Sequence, residues 1–132
     1  MSIGDHLSDV KTLWGRVASA DTSKCLFTAA EKGVDLDAIA ILETSENVEF
    51  NQHSPFAISP CLKDVDFVIY GTVSIMSFLD DKGFGNSLVP RNGIVRAQQY
   101  RWIHIATDIL GPAISEVISG GNENLDVSMQ KI

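Results

Sequence analysis

The sequence has 132 residues, 45% hydrophobic and 20% charged, the size and composition of one soluble globular domain with a single core. Its 17 acidic against 10 basic residues leave a net charge of −7. Binding to phosphate backbones needs clustered Lys and Arg, and no cluster is found, so nucleic acid is not an expected partner and anionic membrane surfaces are repelled.

Residues 1–9 are polar and read as an N-terminal arm. They carry no apolar h-region and no Arg-rich amphipathic pattern, so no signal or transit peptide is evident. Val10 to Trp14 alternates apolar and polar and predicts a first strand stopped by Gly15. From Ala20 to Lys32, the residues Cys25, Leu26, Ala29 and Ala30 recur at one-face helical spacing, and Glu31-Lys32-Gly33 supplies a cationic last turn and a left-handed stop. Ala38 to Leu42 is an apolar run that predicts a second, buried strand, and a strand–helix–strand order implies a parallel pair. Thr44 to Gln52 is polar and acidic and carries little signal.

Pro55 and Pro60 forbid a helix between them. A short strand closing at Leu62, a turn over Lys63–Asp66 and a buried strand Phe67–Tyr70 follow. Gly71-Thr72 then opens a helix ending near Lys82. Residues 83–93 read as a linker, 94–119 as one long helix kinked at Gly111 by Pro112, and 120–132 as a polar tail. No run approaches transmembrane length. Cys25 and Cys61 lie in apolar runs without a Cys-x-x-Cys or zinc spacing, which suits buried thiols in the cytoplasm or another reducing compartment.

Three stretches carry a resemblance. Leu13-Trp14-Gly15, Ser19, Lys24-Cys25-Leu26 and Glu31-Lys32-Gly33 form the first; Ser54-Pro55-Phe56, Pro60 and Gly71-Thr72 the second; Pro90 through Arg96-Ala97 to Trp102-Ile103 the third. Together, from about Leu13 to Ile118, they resemble cytosolic glutathione transferases of the serine type, similar to the phi and theta groups. The resemblance implies an α/β fold: a thioredoxin-like βαβ-ββα domain over residues 10–82, with one long appended C-terminal helix as the remnant of a truncated helical domain.

In that family a hydroxyl donates to the thiol sulfur of glutathione and favours the thiolate. The resemblance places Ser19 in that catalytic role; read as a residue alone, a Ser before a helix is most often only an N-cap. It places Pro60 as the cis-proline presenting the backbone of Ser59, a position that a proline simply building the turn explains equally well, and Thr72 as a ligand for a carboxylate at a helix N-terminus. Other expected contacts are missing. Gly71 stands where a Glu holds the γ-glutamyl amine, Ile58 where a Gln stands, and no Lys lies between Thr44 and Gln52 for the glycyl carboxylate. Three such contacts at ~1.4 kcal/mol each would weaken binding roughly a thousandfold. Glutathione is therefore the one ligand implied, weakly held, with no other cofactor and no metal. His53 and His104 stand apart from any cluster.

The helix over 94–118 offers a second kind of function. At constant α-helical pitch Trp102, Ala106, Ile109, Ala113 and Val117 form one apolar stripe, and Ile103, Leu110 and Ile114 a second beside it. Two stripes need two covers. Trp102, Ile103, Ile109, Leu110, Ile114 and Val117 are thus candidate interface residues for another protein subunit or a homodimer partner. Two main readings follow: a non-catalytic accessory or interaction protein with a degraded glutathione site, or a transferase or lyase using Ser19. A small-molecule carrier is a third.

Overall fold

The computed structural model describes residues 10–41 and 47–120. Strand β1 (Lys11–Gly15) leads into helix α1 (Ala20–Lys32) and strand β2 (Leu36–Ala40). A short helix α2 (Val48–His53) precedes the hairpin β3 (Cys61–Asp64) and β4 (Phe67–Tyr70), and helix α3 (Thr72–Lys82) follows. The sheet has the order β2-β1-β3-β4, with β1 and β2 parallel and the other pairs antiparallel. This is the thioredoxin-like βαβ-ββα arrangement.

Period-2 alternation sorts the sheet into two faces. Leu13 and Leu62, paired across β1 and β3, are fully buried in a core with Cys25 and Ala29 of α1 and Ile75 and Leu79 of α3. The next pair, Trp14 and Cys61, points the other way and packs with Ile41 and with Phe50 of α2. Both ends of α1 fall where the sequence puts them. Ser19 caps the start, and Gly33 at φ 67 turns its amide back onto Ala29 and Ala30, with Val34 N donating to Ala29 O at 2.9 Å.

Several expectations need correction. The second strand runs from Leu36 to Ala40, not from Ala38 to Leu42, and it is an edge strand whose residues are mostly exposed. Its register follows from its flanks: Lys11 N donates to Asp35 O and Ile41 N to Gly15 O, which aligns Lys11 with Leu36. The small side chains of Ala38 and Ala40 let the run sit at an edge, and Ile41, just beyond the strand, is the buried residue. Leu42 and the first part of the 44–52 stretch lie outside the described residues. The hairpin turn is only Val65-Asp66, with Val65 at φ 55, because Lys63 and Asp64 pair with Val68 and Phe67. Strand β4 is the other edge and not buried on both faces; Phe67 is exposed and leans its ring on Phe78.

The chain divides into two compact units between Leu88 and Val89. In the second unit the expected single helix is three segments in continuous winding: α4 (Gly93–His104), a π-helical stretch Ile105–Leu110, and α5 (Gly111–Gly120). Asn92 caps α4 by accepting from Ile94 N at 2.9 Å and Val95 N at 3.2 Å. The distortion precedes Gly111. Pro112 has no N–H to give to Asp108, and its ring crowds that carbonyl; Gly111 N–H instead reaches back five residues to Ala106 O, the wider π turn. Stripes drawn at constant α-helical pitch therefore do not continue through this helix. Trp102 is 63% and Ile114 47% exposed, while Ile103, Ile109, Leu110 and Val117 are half-buried, so exposure does not divide along the two expected stripes. Among the described residues no helix is long and apolar enough to cross a membrane. The N-terminal arm and residues 121–132 of the polar tail lie outside the described residues.

Candidate functional site

Strand register brings the separated motifs of the first unit to one end of the sheet. Gly15 pairs with Ala40, Trp14 with Cys61, and Cys61 with Tyr70. The loop after β1, the segment before β3 and the exit of β4 thus emerge side by side, carrying Ser19, Ser59-Pro60 and Gly71-Thr72. Gly71 N donates to Pro60 O at 3.0 Å and ties the last two together. Neighbouring strands lie about 4.8 Å apart, so the exits of β1 and β4, two strands apart, are separated by ~10 Å. An extended tripeptide spans about that length. Both α1 and α3 start at this end and bring their positive poles to it.

Ser19 is half-buried, with its amide donating to Arg16 O at 3.1 Å across the β1–α1 loop. Its Oγ accepts from Asp21 N at 3.2 Å and Thr22 N at 3.4 Å. Capping uses the oxygen's lone pairs and leaves its own proton to be donated, so cap and thiol donor are compatible in one hydroxyl. Asp21 in the first turn is paired with Lys24 at 3.4 Å.

The Ser59–Pro60 peptide is cis. The preceding loop is anchored by Ser54, which is buried and whose Oγ donates to Ile58 O at 2.9 Å. Ala57 in that loop sits at φ 55, in the left-handed region. Thr72 is the first residue of α3 and half-buried. Gly71 occupies the cap position at φ 98 without a side chain to contribute, and a Cβ built there would meet only Ser74 Oγ, at 3.9 Å.

Neither cysteine offers a nucleophile. Cys25 Sγ is fully buried, 3.9 Å from Thr72 O, and burial, reinforced by the Asp21 charge, pushes its thiol up to about 12. Burial likewise raises Cys61, on the opposite face of the sheet. Among the described residues no group of His, Cys, Asp and Glu is arranged to hold a metal. His53 stacks on Trp14, with ring centroids 5.3 Å apart, and His104 pairs with exposed Asp108 one turn on.

Two features escaped the sequence. Lys32, read only as the charge of a helix's last turn, is buried and paired with Asp80, a partner 48 positions away that no spacing rule links to it. Gly15 is held against Thr22, whose buried Oγ1 finds no hydrogen-bond partner. In the second unit, Asp108, Ile109, Pro112, Ala113 and Glu116 line a hollow of about 320 Å³.

Known structures share this architecture. A theta-class glutathione S-transferase from the citrus canker pathogen Xanthomonas axonopodis pv. citri, solved with glutathione bound, superposes with a TM-score of 0.76 over 92% of this chain at 20% identity. The chain has the glutathione transferase fold. A tau-class glutathione S-transferase from mango, Mangifera indica, matches at 0.76, 92% and 20%, and a glutathione S-transferase from Methylobacillus flagellatus with glutathione bound matches at the same three values. The chain spans 64%, 56% and 64% of the lengths of these three proteins. No family model and no curated protein matches the sequence.

Proposed function

We propose that this is a glutathione transferase-like protein whose glutathione site is weakened and whose main role is a contact with another protein. Gly71 carries the first half. The strand ends that lead to Ser19, to Ser59-Pro60 and to the start of α3 are neighbours at one end of the sheet, but the position from which the family resemblance expects a carboxylate to grip the ligand's amine has no side chain. Ile58 adds nothing polar. What remains fits the peptide backbone and one carboxylate, and lets the ammonium go unpaired.

The second half is supported by the apolar side chains displayed on α4, the π stretch and α5. Trp102 and Ile114 are exposed, and Ile103, Ile109, Leu110 and Val117 half-exposed beside them. Contact with another subunit or a second copy would cover this set. An enzyme using Ser19 is the second reading, supported by the free proton that its Oγ keeps while capping α1.

Isothermal titration with glutathione separates the two. The proposal expects binding no tighter than millimolar and no change in Ser19→Ala beyond the loss of the cap. Sub-millimolar binding, with conjugation of an electrophile abolished in Ser19→Ala, would replace it with the enzyme. For the contact, sedimentation of the purified chain and of Trp102→Ala with Ile114→Ser is decisive: the proposal expects association that the double variant loses, and a wild-type monomer that co-purifies with nothing would remove it.

A further inference from the structure

Lys32 and Asp80 meet at the end of the first unit opposite the candidate site, in the last turns of α1 and α3. Lys32 Nζ lies 3.0 Å from Asp80 Oδ1, with the side chains 3% and 9% exposed. The segment Gly83–Leu88 is threaded around this pair. Phe84 N donates to Lys32 O at 2.8 Å, and Lys32 Nζ donates to Asn86 O at 2.8 Å. Ser87 Oγ donates to Asp80 Oδ2 at 3.2 Å, and Leu88 N to Asp80 Oδ1 at 2.9 Å. The backbone is laid directly on Lys32: a Cβ at Gly83 would fall 2.3 Å from Lys32 Cβ and 2.6 Å from its carbonyl oxygen.

A buried ion pair is seldom more stabilising than apolar residues of the same volume, so stability alone does not account for one here. Aliphatic side chains at these positions would fill the space, but they would neither accept from Leu88 N nor donate to Asn86 O. The segment needs those bonds, because the side chains of Phe84 and Leu88 are exposed and add little apolar burial of their own. Each ion is in turn kept satisfied by the segment's backbone as well as by its partner.

We infer that the Lys32–Asp80 pair is a latch that clips the strap Gly83–Leu88 onto the α/β unit, so that losing either charge frees the strap as a separate cooperative element while the sheet stays folded. Since the chain leaves the first unit after Leu88, the latch fixes the point of that exit on the α/β unit.

Hydrogen exchange on the full chain, followed by mass spectrometry, tests this with peptides covering 84–88 and 61–70. In the wild type both should be protected. In Asp80→Asn, protection of 84–88 should fall on the order of a hundredfold while 61–70 keeps most of its own. Should Asp80→Asn fail to fold, the double variant Lys32→Met, Asp80→Leu removes both charges without stranding one. It should retain protection at 61–70 and lose it at 84–88. Protection at 84–88 surviving in a folded variant, equal loss in both peptides, or a strap already unprotected in the wild type would each overturn the latch.

Discussion

At Gly71 backbone geometry and ligand chemistry pull in opposite directions. Its φ of 98 with ψ of 138 lies outside the left-handed helical well, in a region that glycine adopts freely and that costs an L-residue on the order of 1–3 kcal/mol. No other part of the chain crowds a side chain there, since only Ser74 Oγ comes within 4 Å, at 3.9 Å, so the strain of a substitution lies in the residue's own backbone. Glycine thus relaxes the start of α3 and forgoes the carboxylate that an amine needs. Gly71→Glu should show both effects at once. Thermal or urea unfolding should report a loss of about 1–3 kcal/mol, and titration should report glutathione bound roughly tenfold to a hundredfold more tightly, the range of one charge-assisted hydrogen bond. Unchanged affinity in the folded variant would mean that the amine of the tripeptide does not reach this end of the sheet. The Ser19 hydroxyl poses the complementary question, because its capping bonds are compatible with either role and only a functional readout distinguishes them.

At the scale of elements, what the sequence discloses is whatever local chemistry decides. The limits of α1 were legible because a capping serine and a left-handed glycine are signals written within a few residues of each end. The family resemblance also singled out Ser19, Pro60 and Thr72, and the strand register puts the segments that carry them at one end of the sheet. Strand β2 was misplaced by two residues because an edge strand has one partner, and its register is set by flanking bonds to Asp35 and Ile41 that composition does not advertise. Pro112 announced a disturbance; that it would be a π stretch upstream depended on Gly111 finding Ala106 O. Packing between elements was the least visible. A Cβ at Gly15 would lie 2.5 and 2.6 Å from Thr22 Oγ1 and Cγ2, which fixes the approach of α1 to β1. Thr22 is β-branched and buried, so it has little freedom to withdraw. Gly15→Ala should therefore destabilise the chain by about 1–3 kcal/mol in denaturant unfolding. The pair Gly15→Ala, Thr22→Ser, which removes the methyl in the way, should regain part of it.

For the molecule as a whole, two buried titratable groups bound the pH range of stability from opposite sides. Asp80 is opposed by burial, but hydrogen bonds from Leu88 N, Lys32 and Ser87 and the Lys32 charge hold its carboxyl below the usual range. Its folded value is the lower one, so its contribution is complete above the unfolded value of about 4 and is lost as pH falls through the folded value. Cys25 acts at the other limit. Burial raises its thiol from 9.0 to about 12, so the unfolded chain releases this proton before the native chain does. The contribution is complete below about 9 and declines by ~1.4 kcal/mol per pH unit until the folded value is passed. Cys61 shifts in the same direction and adds to the decline. Urea unfolding at pH 7 and at pH 10.5 should therefore show a fall in stability that Cys25→Ala reduces by roughly 2 kcal/mol, although that variant is less stable at pH 7 because it empties a fully buried position between α1 and α3. The difference between the two pH values, not either value alone, isolates the thiol from the cavity. An identical fall in Cys25→Ala would mean that Cys25 ionises as readily in the native chain as in the unfolded one, and that water reaches the contact between Cys25 and Thr72.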